Sequence, residues 1–118
     1  MIERKFGRII NITSLSGQAG TFGKVNFGLN KGGVLKFTQT LAQETAKYNI
    51  TANALAPGFT CTEVLSQFPS NVLEQIRVKI PLQRFAQPNE VAKAAAFLVT
   101  EGDYITGQQL NIDGGLHM

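Results

Sequence analysis

The feature that most constrains this 118-residue chain is an alternation of short strand-like runs with helix-length stretches. Arg8-Ile9-Ile10-Asn11-Ile12-Thr13-Ser14 is rich in β-branched residues and ends in hydroxyls, as a buried parallel strand does. A glycine-rich stretch follows at 17–23. From about residue 26 to residue 47 the period becomes helical, with Val34, Phe37 and Leu41 at i, i+3 and i+7. Leu35, Ala42 and Ala46 widen that stripe. Ile50-Thr51-Ala52-Asn53-Ala54-Leu55-Ala56 reads as a second strand, stopped by Pro57-Gly58. Ser70 is placed to cap a short helix carrying Val72, Leu73, Ile76 and Ile80, with Pro81 ending it. Pro88 suits the first turn of another helix, carrying Val91, Ala94, Ala95 and Leu98 and closed by Gly102. Gln108-Gln109-Leu110-Asn111-Ile112-Asp113 reads as a third strand before Gly114-Gly115. Such an order, joined by right-handed crossovers, predicts an α/β fold. It is a parallel sheet of about three strands with flanking helices, in a single domain spanning 1–118, with one sheet edge left open.

Composition narrows the function classes. The chain is 43% hydrophobic and 16% charged, which fits one soluble domain with a small core that gains from association. No apolar run approaches the ~20 residues of a membrane span, and residues 1–8 lack the apolar stretch of a secretory signal. A cytoplasmic setting is the expectation. One cysteine, Cys61, permits no intrachain disulfide, and one histidine, His117, permits neither a multi-histidine metal site nor a histidine-centred triad within the sequence. The net charge of +3 comes from cations mostly spread singly among acids. Only Arg4, Lys5 and Arg8 cluster, beside Glu3, and no basic stripe is interleaved with stacking aromatics. Nucleic acid is not an expected partner. The two Asn-Ile-Thr triplets at Asn11 and Asn49 fall at strand edges and carry no weight as glycosylation sites.

The glycine stretch sits between a strand and a helix, where a dinucleotide loop belongs, but its spacing is not that of a phosphate-binding fingerprint. Gly17 and Gly20 are three apart where G-x-G-x-x-G needs two, and no P-loop pattern occurs. A lip over a crevice is the better reading. Three other positions group together. Ser14 ends the first strand, and Phe27 and Lys31 share one face of the following helix at i and i+4. Ligands of open α/β sheets bind outside the carboxyl ends of strands, where this trio converges. Each residue taken alone also has a plain structural reading: a serine after a strand is usually a turn residue, and a lysine on a helix is usually solvated.

These residues resemble the C-terminal half of a short-chain dehydrogenase/reductase, in the branch of acetoacetyl-CoA and 3-oxoacyl-[acyl-carrier-protein] reductases. The resemblance runs along the whole chain. It rests on Phe6-Gly7-Arg8-Ile9-Ile10-Asn11-Ile12-Thr13-Ser14, Asn53-Ala54-Leu55-Ala56-Pro57-Gly58, Ile80-Pro81-Leu82-Gln83-Arg84 and Gln87-Pro88-Asn89-Glu90-Val91-Ala92, with Thr106-Gly107-Gln108 and Asp113-Gly114-Gly115 near the end. It implies a partial Rossmann-like sheet and NADP(H)-dependent reduction of 3-oxoacyl thioesters to 3-hydroxyacyl thioesters. By resemblance Ser14 polarises the substrate carbonyl, with Gln18 and Phe22 beside the substrate. Lys31 holds the nicotinamide ribose, and Pro57, Gly58, Thr60 and Thr62 meet the cofactor. Phe27 stands where the family has its proton-donating tyrosine, 13 positions after the serine and four before the lysine.

A benzyl ring has no O–H, so Phe27 can neither give nor take a proton. Leu29 and Asn30 replace the family's small residues between positions 27 and 31, and Thr60 and Glu63 are milder departures. Family members are about twice this length and begin with the adenine and pyrophosphate half. The resemblance therefore places Met1 at an internal position, with the family's catalytic asparagine upstream of it. The expectation is a chain that does not catalyse by itself and binds the cofactor poorly by itself. Its partners are an acyl thioester and either a second copy or a full-length relative. The alternative is a non-catalytic oligomerisation module or pseudoenzyme fragment.

Overall fold

Three strands, β1 (Gly7–Ile12), β2 (Ile50–Pro57) and β3 (Gln109–Ile112), pair in parallel in the order β1-β2-β3. The computed structural model describes residues 1–14 and 25–117, with residues 25–30 as backbone only. Between β1 and β2 runs α1 (Val25–Thr45), finished by a 3₁₀ turn at Ala46–Tyr48. Asn49 closes that turn in the left-handed conformation (φ 56°), a backbone state that asparagine tolerates better than most residues. After β2 come two short surface helices, α2 (Glu63–Ser66) and α3 (Ser70–Arg77), then α4 (Pro88–Thr100) and β3.

β2 is the core. Residues 50–56 are all buried, and Ala52, Asn53, Ala54, Leu55 and Ala56 have no exposed surface. Gly7 lies level with Ile50 and Ile12 with Leu55, while Ala54 lies level with Gln109. Side chains alternate between faces along a strand, and register partners share a face. Asn11, level with Ala54, donates from Nδ2 to Thr38 Oγ1 of α1 at 2.9 Å, so Ala52, Ala54 and Ala56 face α1. The other set, with Arg8 and Asn53, points to the opposite face. There Arg8 pairs with Asp103 and Asn53 Nδ2 donates to the Ile105 carbonyl at 2.8 Å, both in the segment that follows α4.

The two long helices therefore flank opposite faces. α1 packs on β1 and β2, and α4 packs on all three strands; among the described residues the two helices share no extensive interface. By the chirality rule for strand–helix–strand units the first crossover is right-handed. The second corrects the sequence reading: β3 continues the sheet in the same direction while α4 crosses behind it, which is a left-handed connection. The rule it breaks rests on a twisted strand feeding directly into a helix that folds back. Here the long surface excursion through residues 58–87 carries the chain over the strand ends before α4 begins.

Three local expectations also change. The buried line of α1 is Thr38 (0% exposed) and Ala42 (3%), whereas Phe37 of the predicted stripe is 59% exposed. A threonine can be buried here because its hydroxyl is satisfied twice, donating to the Val34 carbonyl at 2.7 Å and accepting from Asn11. Ser70 is the first residue of α3 and not its cap. The Pro69 carbonyl instead accepts the N–H groups of Val72 and Leu73. Ile80 lies beyond α3, buried at 2%. That helix stops at Arg77, the carbonyl a Pro81 ring would strike if the helix continued. α4 starts as expected at Pro88, with a reciprocal cap between Gln87 and Glu90.

The corrected α1 face is directly testable. Ala54→Leu forces extra methylene groups against Thr38 and should lower the unfolding free energy by about 1–3 kcal/mol. Phe37→Ala on the exposed face should change it by less than about 0.5 kcal/mol. Urea denaturation of the two variants measures both.

Candidate functional site

The carboxyl ends of β1 and β2 leave the sheet side by side, because Ile12 is level with Leu55. Thr13 extends the pairing by one bond, its N–H donating to the Leu55 carbonyl at 2.7 Å. Thr13 is buried (4% exposed), and its hydroxyl donates to the main-chain carbonyl of Lys31 at 2.8 Å. The Lys31 side chain turns back to the same strand end, with Nζ donating to the Ile12 carbonyl at 3.4 Å. Ser14 follows directly, half-buried. The structure thus brings Ser14 and Lys31 to one strand end, as the sequence reading expects.

Phe27 lies one turn before Lys31 on the backbone of α1, and its side chain falls outside the described residues. Gln18 and Phe22, like the glycine stretch, also lie outside them.

The β2 end supplies the other predicted positions. Pro57 is the last strand residue, and the Gly58 N–H donates to the Ile112 carbonyl at 2.9 Å. With proline lacking an N–H, the Pro57-Gly58 pair has no amide donor left for a ligand. A Cβ at Gly58 would stand 2.9 Å from Asp113 Cα, so glycine is required by the close approach of two backbones. Thr60 Oγ1 donates to the Gly58 carbonyl at 3.2 Å, and Thr60 also forms a parallel bridge with Ala86. Thr62 precedes α2 and its hydroxyl makes no capping bond. A hollow of about 560 Å³ opens beside it, lined by Thr62, Leu65, Leu73 and Phe85 among others.

The chemistry these strand ends offer is hydrogen-bond donation from the Lys31 ammonium and the Thr62 hydroxyl. An ammonium and an uncapped hydroxyl are the groups from which ribose hydroxyls and phosphates accept hydrogen bonds. Among the described residues no group of three or more His, Cys, Asp or Glu could hold a metal ion, and no described helix is long and apolar enough to cross a membrane.

Sequence reasoning missed Thr13, Asn11 and Thr38 as the groups that seat α1. It also missed Asp113, whose carboxylate is 7% exposed and accepts the N–H groups of Gly115 (3.0 Å) and His117 (2.9 Å) while its backbone abuts Gly58. Hydroxyls and amides score as polar in a periodicity reading, so their burial left no apolar signal.

A second hollow, of about 480 Å³, lies at the end of β3, lined by Phe59, Leu82, Arg84, Glu90 and Asp113 among others. On its wall the Glu90 carboxylate accepts from both guanidinium nitrogens of Arg84, at 2.7 and 2.8 Å, and from the Gln87 N–H at 2.8 Å. Those bonds, Arg84's first and the Gln87 amide's second, pull the Glu90 carboxyl down to about 2. A depressed carboxylate stabilises the fold above the ordinary glutamate range of about 4.3, and the contribution is lost as pH falls through the folded value. Carbon-detected NMR should show a Glu90 midpoint near 2, and Arg84→Met should move it up toward the ordinary range.

Comparison with known proteins agrees with the resemblance read from the sequence. A family model described as enoyl-(acyl carrier protein) reductase matches residues 1–117. The chain is 47% identical to an acetoacetyl-CoA reductase of Acinetobacter sp. (strain RA3849), across 100% of this chain and 48% of that protein. It is 45% identical to a 3-oxoacyl-[acyl-carrier-protein] reductase of Synechocystis sp., across 100% of this chain and 47% of the relative. It is 40% identical to nodulation protein G of Azospirillum brasilense, across 99% and 48%. The chain spans about half the length of the curated relatives it matches.

Proposed function

The chain belongs to the short-chain dehydrogenase/reductase family, and from that premise we propose that it forms the substrate-side half of a 3-oxoacyl thioester reductase site. In this reading the site lacks its proton donor at Phe27. The observation that carries it is the Lys31 ammonium, turned back to the carboxyl end of β1 next to Ser14. Lys31 and Thr62 would hold a nicotinamide dinucleotide, NADP(H), by its ribose and phosphates; when bound, that group supplies the hydride.

The chain's own residues account for the rest. Reducing a ketone needs a proton at oxygen as hydride reaches carbon. The Ser14 hydroxyl can donate a hydrogen bond to the carbonyl oxygen and steady the charge growing there. Lys31 places a cation where it would lower the pKa of a phenol at position 27. The Phe27 ring cannot use that help, so the 118-residue chain assayed by itself does not turn over. A single exposed cysteine, Cys61, fits a reducing compartment, and the reading sets the chain in the cytoplasm.

A second reading is a non-catalytic module that associates with a copy of itself or with a full-length relative. Exposed Phe37 on α1 favours it, as does the outer edge of β1, which pairs with no strand among the described residues.

A graft separates the two. The part of the Acinetobacter reductase that this chain does not match is fused ahead of it, with Phe27 kept or with Phe27→Tyr. Reduction of acetoacetyl-CoA is then followed by NADPH oxidation. The Phe27→Tyr graft should turn over about 10²–10⁴-fold faster than the Phe27 graft, the range for a general acid. Equal, measurable rates would overturn the role given to position 27. Two folded but inactive grafts would favour the association module.

A further inference from the structure

We propose that Thr13 is a positioning residue for Lys31, fixing the lysine's main chain so that its ammonium stays at the carboxyl end of β1. The inference rests on the reading above only for why that placement matters.

The geometry is a closed loop between one strand end and one helical residue. Ile12 and Thr13 are consecutive, and each holds a different end of Lys31. The Ile12 carbonyl accepts from Nζ at 3.4 Å, and the Thr13 hydroxyl donates to the Lys31 carbonyl at 2.8 Å. Thr13 can act as an anchor because it is itself fixed, 4% exposed and bonded through its N–H to Leu55 of the central strand. A helical carbonyl has two lone pairs, so the Lys31 oxygen can take the threonine hydroxyl without giving up its place in the helix. A second bond lies about two turns further along α1, where Asn11 Nδ2 meets Thr38 Oγ1. Asn11 of β1 and Thr13, just past its end, point to the same face and clamp one side of α1, with Lys31 at the end nearer Ser14.

The alternative role for Thr13 is plain packing, in which the hydroxyl matters only through overall stability. The two roles differ in what happens to Lys31 alone. With the hydroxyl gone, the helix turn carrying Lys31 loses its bond to the strand, and the long side chain leaves Ile12 more often. An ordinary net hydrogen bond of about 1 kcal/mol corresponds to about fivefold in that population.

Acylation of lysine amines by a water-soluble N-hydroxysuccinimide ester, read residue by residue by mass spectrometry on the folded chain, reports this population. Thr13→Val should raise the rate at Lys31 about fivefold while Lys36, Lys47, Lys79 and Lys93 keep theirs. Thr13→Ser, which keeps the hydroxyl, should restore the slow rate. No change at Lys31, a common rise at all five lysines, or failure of Thr13→Ser to restore the slow rate would each overturn the proposal. Should Thr13→Val not fold, the unmodified chain and Thr13→Ser still decide it. In both, Lys31 must react more slowly than exposed Lys36, and equal rates contradict the anchor. The labelling does not depend on turnover, so an inactive graft leaves the labelling result standing. A failed anchor, in turn, leaves the rates of the two grafts just as informative about position 27.

Discussion

The structure depends on β2 being thin on one side. Ala52, Ala54 and Ala56 present only methyl groups to α1, so the helix backbone can approach closely enough for hydrogen bonds from β1 to reach it. Larger residues there would lift α1 off the sheet and break the Asn11–Thr38 and Thr13–Lys31 bonds together. The other face of β2 carries Asn53 and Leu55, both fully buried. Asn53 is satisfied by the Ile105 carbonyl and the Gln108 N–H, which guide the chain leaving α4 into β3. One strand thus sets the height of α1 with its alanines and the path into β3 with its asparagine.

From that seating the site follows. α1 is held at Lys31 and Thr38, so the first half of the helix is fixed against the strand end that carries Ser14. The β2 end is fixed separately, by the Gly58 contact with Asp113 and the Gly58 N–H bond to Ile112. Asp113 is held by its own turn through the N–H groups of Gly115 and His117. The Asn11–Thr38, Thr13–Lys31 and Gly58–Ile112 bonds join residues far apart in sequence, so the site's geometry is set by the sheet register and not by the surface helices. α2 and α3 sit differently. Leu65 is their one buried residue, so they rest on the strand ends with little core of their own.

Much of this was legible in the sequence, for identifiable reasons. The three strands show as short runs bounded by Pro57-Gly58 and Gly114-Gly115, and α4 shows through Pro88 and its apolar spacing. Ser14 and Lys31 could be grouped because a strand end and the next helix converge. What could not be read depends on polar groups that become buried only because a distant partner arrives. Thr38 looks like a surface residue until Asn11 is placed beside it, which is why the apolar pattern pointed to Phe37. The hand of the second crossover is invisible for a similar reason, because local patterning does not say which face a helix takes after a long excursion. Gly58 is a milder case. The resemblance implies a cofactor contact there, and the close approach of the Asp113 backbone, which patterning does not reveal, is a separate reason for glycine.

The central proposal is that the carboxyl ends of β1 and β2 together form a nicotinamide-nucleotide site built around Lys31. The most direct measurement is an NMR titration of the isotopically labelled chain with NADPH, followed at every assigned backbone amide. The account predicts weak binding with shifts concentrated at Ser14, Lys31, Gly58, Thr60 and Thr62, and loss of those shifts in Lys31→Ala. Shifts clustered instead at the opposite end of the sheet, around Asp103 and Tyr104, would contradict it, as would shifts that persist unchanged in Lys31→Ala.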